Sequence, residues 1–276
     1  MIKITCLTTA AFTFALFALF TPAYAQSIGQ VSSSVVTPES AFSIMAGNAE
    51  KGDATAMLNL GICYEHGIGV SRNYSKALAW YQKAADNGVA EGYYNVGVCY
   101  EIGMGDKADP QKAAAYFLQS AEMGFAQGMF KMADIYLVGF GVQQNDTNSF
   151  ELLNKAARSG HPAAMNAMGA VYAAGTLGQP MDEKIAVEWF QRAADAGNLE
   201  AIKNMAVVYK NGVGVKTDPV NALLWYTIAK NGGYAASDMD AIIEELKAAM
   251  KPADLAKIET DAAKWFLDFQ DRHPQQ

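Results

Sequence analysis

The chain has 276 residues, 51% of them hydrophobic and 18% charged, with a formal net charge of -7. This balance excludes disorder of the whole chain and leaves ample apolar surface for a core. A net acidic surface is a poor match for nucleic acid or anionic lipid, so neither is expected as a partner.

Residues 1–25 differ from the rest. Lys3 opens a short basic region, Ile4 to Phe20 is an apolar run, and Thr21-Pro-Ala-Tyr-Ala25 ends in an Ala-x-Ala pattern. This predicts a secretory signal peptide cleaved after Ala25, a periplasmic or secreted location, and no stable membrane insertion afterwards. A retained anchor is the rival reading, although the run is near the lower limit for a span. Cys6 lies inside the run rather than at the cleavage point, which argues against a lipid anchor. Residues 26–40 are Ser-rich without helical period and are expected to form a flexible leader. Residues 41–53 look like the end of a second helix closed by Gly52, a half-repeat cap over the segment that begins at residue 54.

From residue 54 one pattern dominates. In "LNLGICYEHGIGV", Gly61, Gly67 and Gly69 around Cys63 look at first like a phosphate loop with a nucleophile. The pattern returns four more times, with Tyr64, Tyr100, Tyr136, Tyr172 and Tyr209 spaced by 36, 36, 36 and 37 residues. An active-site loop is normally unique, so a copied one is a structural repeat. Units 54–89, 90–125, 126–161, 162–198 and 199–234 each hold two apolar-periodic segments divided by glycine, which predicts helical hairpins.

Within each unit the residues have local reasons. Ala56, Met57, Leu60, Gly61 and Tyr64 form one stripe of the first helix. The small column Gly61, Gly97, Ala133, Gly169 and Ala206 implies close helix approach, because glycine costs a helix about 1 kcal/mol against alanine. Gly67, Gly103, Gly139, Gly175 and Gly212 fall where a left-handed cap ends the first helix. Asp109-Pro110 and Asp218-Pro219, with Asn73 and Asp182 in equivalent places, open the second. In that helix Ala77, Ala113, Ala186 and Ala222 precede Trp80, Tyr116, Trp189 and Trp225 by three residues, setting small against large.

One hairpin cannot bury its apolar face alone. Stacking predicts an all-α fold, a right-handed αα-superhelix (solenoid) of five hairpins with a concave inner surface. Residues 235–276 would cap it with two amphipathic helices, Ser237–Met250 and Pro252–Gln270, whose Trp265, Phe266 and Phe269 pack on the fifth unit.

No catalytic, cofactor or metal site emerges. His66, His161 and His273 lack paired ligand spacing, and no nucleophile motif stands out from the repeat. Cys63 and Cys99 occupy one column of adjacent units, about 9–10 Å apart if stacked helices pack normally. That is beyond disulfide reach, so buried thiols are expected. Asn73-Tyr-Ser75 and Asn145-Asp-Thr147 are formal glycosylation sequons at positions where a helix needs its N-cap.

The unit "LG..Y..G.GV...(D)..KA..WY.KAA..G" resembles the Sel1-like repeat, a relative of the tetratricopeptide repeat, over residues 54–234. Unit three departs most, with "MADIY" for "LGxxY". The resemblance implies a non-enzymatic scaffold or adaptor that binds a protein or peptide. In the related architecture the first helices line the concave groove, which makes the polar column Asn59, Asn95, Lys131 and Asn204, broken by Ala167, the expected partner-binding residues. Asparagine amides can both donate to and accept from a peptide backbone. The bland reading is that these are solvated positions or bonds between neighbouring helices. Two rival functions remain: a periplasmic regulator that inhibits a membrane sensor or polysaccharide system, and an envelope enzyme or glycan-binding protein acting on peptidoglycan or β-lactams. The second belongs to a cysteine-rich branch whose paired cysteines this chain lacks.

Overall fold

The computed structural model describes residues 37–273. Among these residues there are thirteen helices and no strand. They are α1 (Pro38–Glu50), α2 (Ala54–His66), α3 (Tyr74–Asp86), α4 (Ala90–Ile102), α5 (Pro110–Glu122), α6 (Ala126–Val138), α7 (Asp146–Arg158), α8 (Pro162–Ala174), α9 (Glu183–Asp195), α10 (Leu199–Asn211), α11 (Pro219–Asn231), α12 (Met239–Ala248) and α13 (Pro252–Arg272). From α2 to α11, even numbers are the first helices of five hairpins and odd numbers the second. The expected signal peptide and most of the expected leader lie outside the described residues. Helix α1 begins at Pro38, inside the stretch expected as leader, because Thr37 caps it by accepting from Ser40 N at 3.3 Å.

Each repeat helix is delimited by its own residues. Asn73, Asp109, Asn145, Asp182 and Asp218 are extended N-caps whose side chains accept backbone N–H bonds from the first turn of the second helices. Each such bond satisfies a donor the helix leaves orphaned. The first helices all stop on a left-handed glycine, from Gly67 (φ 74°) to Gly212 (φ 73°).

Packing within a hairpin centres on the small column. A methyl on Gly61 would lie 2.4 Å from the Tyr81 ring, on Gly97 2.8 Å from Phe117, and on Gly169 2.5 Å from Phe190. These rings are almost wholly buried, so glycine makes the hole into which the facing aromatic fits. Unit three instead sets Ala133 at the position facing Leu153.

Between units, the second glycine of each turn does more than turn the chain. Gly105 lies against the Tyr74 carbonyl, Gly141 against that of Pro110, and Gly214 against that of Glu183, so each turn sits on the start of the preceding unit's second helix. Unit four has no such glycine; its extra residue puts Leu177 at φ 51°, and a methyl on Gly178 would meet nothing within 4 Å. The buried hydroxyls of Ser120 and Ser149 donate to the carbonyls of Ala90 and Ala133, both at 2.8 Å.

At the carboxyl end α13 lies along α11, with Trp265 edge-on to Trp225 at 6.4 Å. It also reaches past the fifth unit: Phe269 covers Gly197 of unit four, and His273 Nε2 lies 3.3 Å from the Asp195 carbonyl. At the other end α1 packs on α2, with Phe42 edge-on to Tyr64 at 5.5 Å.

Candidate partner-binding groove

Within the repeats, each helix packs chiefly on its neighbours in the chain. Of the alternate pairs, α4 and α6 also approach directly, whereas no two successive second helices do so to the same extent. First helices therefore line the shorter, inner arc. Side chains confirm the contact: Lys131 of α6 reaches Glu101 of α4 at 2.8 Å, and Asn204 of α10 donates to Asn166 Oδ1 of α8 at 2.9 Å.

These bonds divide the expected binding column. Asn59 and Asn95 are half-buried on α2 and α4 and make no side-chain hydrogen bond to the described residues. Lys131 is held by Glu101 and lies 5.7 Å from the Phe117 ring centre. Asn204 has given one amide N–H to Asn166, as the bland reading of the column anticipates. Asn166 sits one place before Ala167, the break in the column, and the column alignment passes over it; an amide adjacent to a gap in a polar column was the available signal.

The same face carries apolar groups that periodicity did not single out. Ile102 at the end of α4 is 64% exposed, and Leu137 and Val138 at the end of α6 are 41% and 65% exposed. Nearby Glu65 accepts a hydrogen bond from the Tyr81 hydroxyl, which burial and that bond hold in its protonated form.

The thiols are free and buried. Burial pushes Cys63 up to about 11, and burial with the Glu65 carboxylate pushes Cys99 up to about 12, the opposite of what a nucleophile needs. His161 is committed to structure: its Nδ1 accepts from Ala164 N at 3.2 Å and its ring stacks on Phe130 at 4.8 Å. No group of three or more His, Cys, Asp or Glu among the described residues is arranged to hold a metal ion. No helix among them is long and apolar enough to cross a membrane.

Comparison with known proteins places these features in context. The Sel1 repeat family model matches residues 54–89, 90–125, 126–161, 162–198 and 199–234. A Sel1 repeat protein of Oxalobacter formigenes superposes with TM-score 0.68 at 24% identity, over 93% of this chain and 96% of that one. The protective antigen c5321 of uropathogenic Escherichia coli, which displays the same fold, superposes with TM-score 0.55 at 22% identity, over 86% of this chain and 58% of that one. The DAP3-binding cell death enhancer 1 of Rattus norvegicus is 51% identical over 37 residues, 13% of this chain. That match spans only 7% of the rat protein's length, about one repeat.

Proposed function

Because the chain belongs to the Sel1 repeat family, whose members are generally non-catalytic scaffolds, we propose that it is a non-enzymatic adaptor that holds a protein or peptide segment in its concave groove. The observation that carries this reading is the pair Asn59 and Asn95: two half-buried amides on successive inner helices whose side chains make no hydrogen bond to the described residues. Half-buried amides can exchange water for a peptide backbone, and an extended chain supplies one donor and one acceptor per residue. Lys131 and Asn204 join the same surface, engaged with Glu101 and Asn166 in the free protein and within reach of a bound chain by exchange of those bonds. The amino-terminal sequence supports a periplasmic or secreted place of action, through the basic region, apolar run and Ala-x-Ala of residues 1–25.

The test is photo-crosslinking in cells from position 95, with identification of what is captured, beside a control position on the outer face. Capture of one dominant protein from position 95, reduced in Asn59→Ala/Asn95→Ala at unchanged melting temperature, supports the groove. Equal loss of binding and thermal stability in that variant would reject it.

A further inference from the structure

The last two residues of the five inner helices form a lane along the groove. In chain order it reads Glu65-His66, Glu101-Ile102, Leu137-Val138, Ala173-Ala174 and Lys210-Asn211. Lys131 reaching Glu101 shows that this end of the helices belongs to the face successive first helices share. Three large aliphatic side chains, Ile102, Leu137 and Val138, stand open in its centre, at 64%, 41% and 65% exposure. Large apolar side chains exposed on successive inner helices are candidates for an interaction surface.

The charges in the lane and on the same helices beside it are ordered. Glu65 and Glu101 in the lane and the exposed Asp134, one turn before Val138, lie in the first three units; Lys210 in the lane and Lys203, two turns before it, lie in the fifth. Lys131 interrupts the acidic half but is spent on Glu101 at 2.8 Å, and Lys203 leans on Glu200 at 3.4 Å. Among the described residues, Asp134 on one side of the lane and Lys210 on the other have no ion-pair partner, and Glu65 holds the Tyr81 hydroxyl and its neighbour His66. Unit four contributes only Ala173 and Ala174, which leave room for a bulky side chain beside Val138.

Resting on the groove reading, we propose that this lane docks a linear segment of another protein with a fixed order of chemistry: a basic side chain over units one to three, bulky apolar side chains against Ile102, Leu137 and Val138, and a carboxylate over unit five. Charge order of this kind sets register and partner choice more than raw affinity, while the apolar contacts supply most of the binding energy. Four steps between helices about 8–10 Å apart give a span of roughly 40 Å. At about 3.3 Å per residue, an extended chain of about twelve residues covers it. A second copy of the chain fits less well, because two concave faces cannot fill one another.

The probe is a displayed library of random twelve-residue peptides selected against the full chain, with enriched peptides measured by fluorescence anisotropy. Enriched peptides are expected to carry a basic residue and an acidic residue on opposite sides of an apolar pair. Val138→Asp should weaken them at least about tenfold, and since Val138 is exposed its melting temperature should hold. Selection against Lys210→Glu should keep the apolar pair and replace the acidic residue with a basic one. Peptides that need Val138 yet show no charge order, or keep their acidic residue against Lys210→Glu, would overturn the ordered lane while leaving the groove standing. Peptides indifferent to both Val138→Asp and Asn59→Ala/Asn95→Ala would overturn the lane and the groove together. A concentration-dependent dimer abolished by Val138→Asp would assign the lane to a second copy and overturn the proposal.

Discussion

Gly61→Ala tests the packing logic of the repeat most directly. By helix propensity alone the change should stabilise α2 by up to about 1 kcal/mol. The structure reverses the sign: the new Cβ would lie 2.4 Å from both Cδ1 and Cε1 of Tyr81, where ordinary contact begins at 3.4 Å. Tyr81 is 1% exposed and its hydroxyl is held by Glu65, so the ring has nowhere to go. Forcing a methyl into a closed core costs about 1–3 kcal/mol, and the rigid ring places this case at the upper end. The net expectation is destabilisation by about 2 kcal/mol, or a melting temperature about 4–8 °C lower. Gly47→Ala is the control: it is also inside a helix, nothing lies within 4 Å of its would-be Cβ, and it should be neutral to stabilising. Adding Tyr81→Leu copies the Ala133 and Leu153 pairing of unit three, and the double variant should recover at least about 1 kcal/mol against the sum of the singles. Urea denaturation tracked by circular dichroism and by tryptophan fluorescence reads the wild type, the three single variants and the double variant, with coincident transitions as the condition for comparing free energies. Gly61→Ala as stable as Gly47→Ala, or strict additivity with Tyr81→Leu, would refute the account. Unit five, with Ala206 and Tyr226 at the equivalent positions, is a hairpin built around both groups. The cost at unit one is that of adding a methyl to a hairpin closed without it.

Other expectations rest on single groups. Native Cys63 and Cys99, pushed up to about 11 and 12, should resist iodoacetamide at pH 8 and react only when the chain unfolds; rapid labelling of the native protein would contradict their burial. Burial lowers the pKa of His161, so the folded state prefers neutral imidazole while the unfolded state takes up a proton near 6.5. Stability from this group is full above that pH and is lost as pH falls below it. His161→Asn keeps a capping acceptor, so the decline in melting temperature between pH 7 and 5 should become shallower. Asn73→Ala should cost about 1 kcal/mol by removing the cap on Lys76 N, whereas Asn73→Asp should cost little, as denaturation midpoints will show.

The fold was legible because its determinants are local and repeated. A left-handed glycine at the end of each first helix, an Asn or Asp N-cap on each second helix and a small column facing a large one act within a few residues or one hairpin. Five copies make such signals visible against the background. The second glycines were legible only as turn residues. Their contact with the preceding unit's helix start depends on how one hairpin is set against the next, which no window along the chain contains. The same limit explains α13, whose aromatic residues were expected on the fifth unit: Phe269 also covers Gly197 of the fourth, and His273, just past the helix, meets the Asp195 carbonyl there.

Asn59, Asn95, Lys131 and Asn204 share one register position, but what each can offer a partner depends on the next helix. Asn59 and Asn95 make no side-chain hydrogen bond to the described residues, Lys131 meets a carboxylate six positions further along the preceding first helix, and Asn204 meets an amide one position off its own register. Repetition preserves backbone geometry from unit to unit while leaving inner-face side chains free to differ, so function in a solenoid resides in departures from the consensus. Unit three is the clearest instance. Asp134, Leu137 and Val138 stand at positions the repeat pattern leaves open, and all three are exposed. If Val138→Asp abolishes peptide capture while substitution at the consensus Tyr136 only lowers stability, then variation within the repeat carries recognition and the consensus carries the fold.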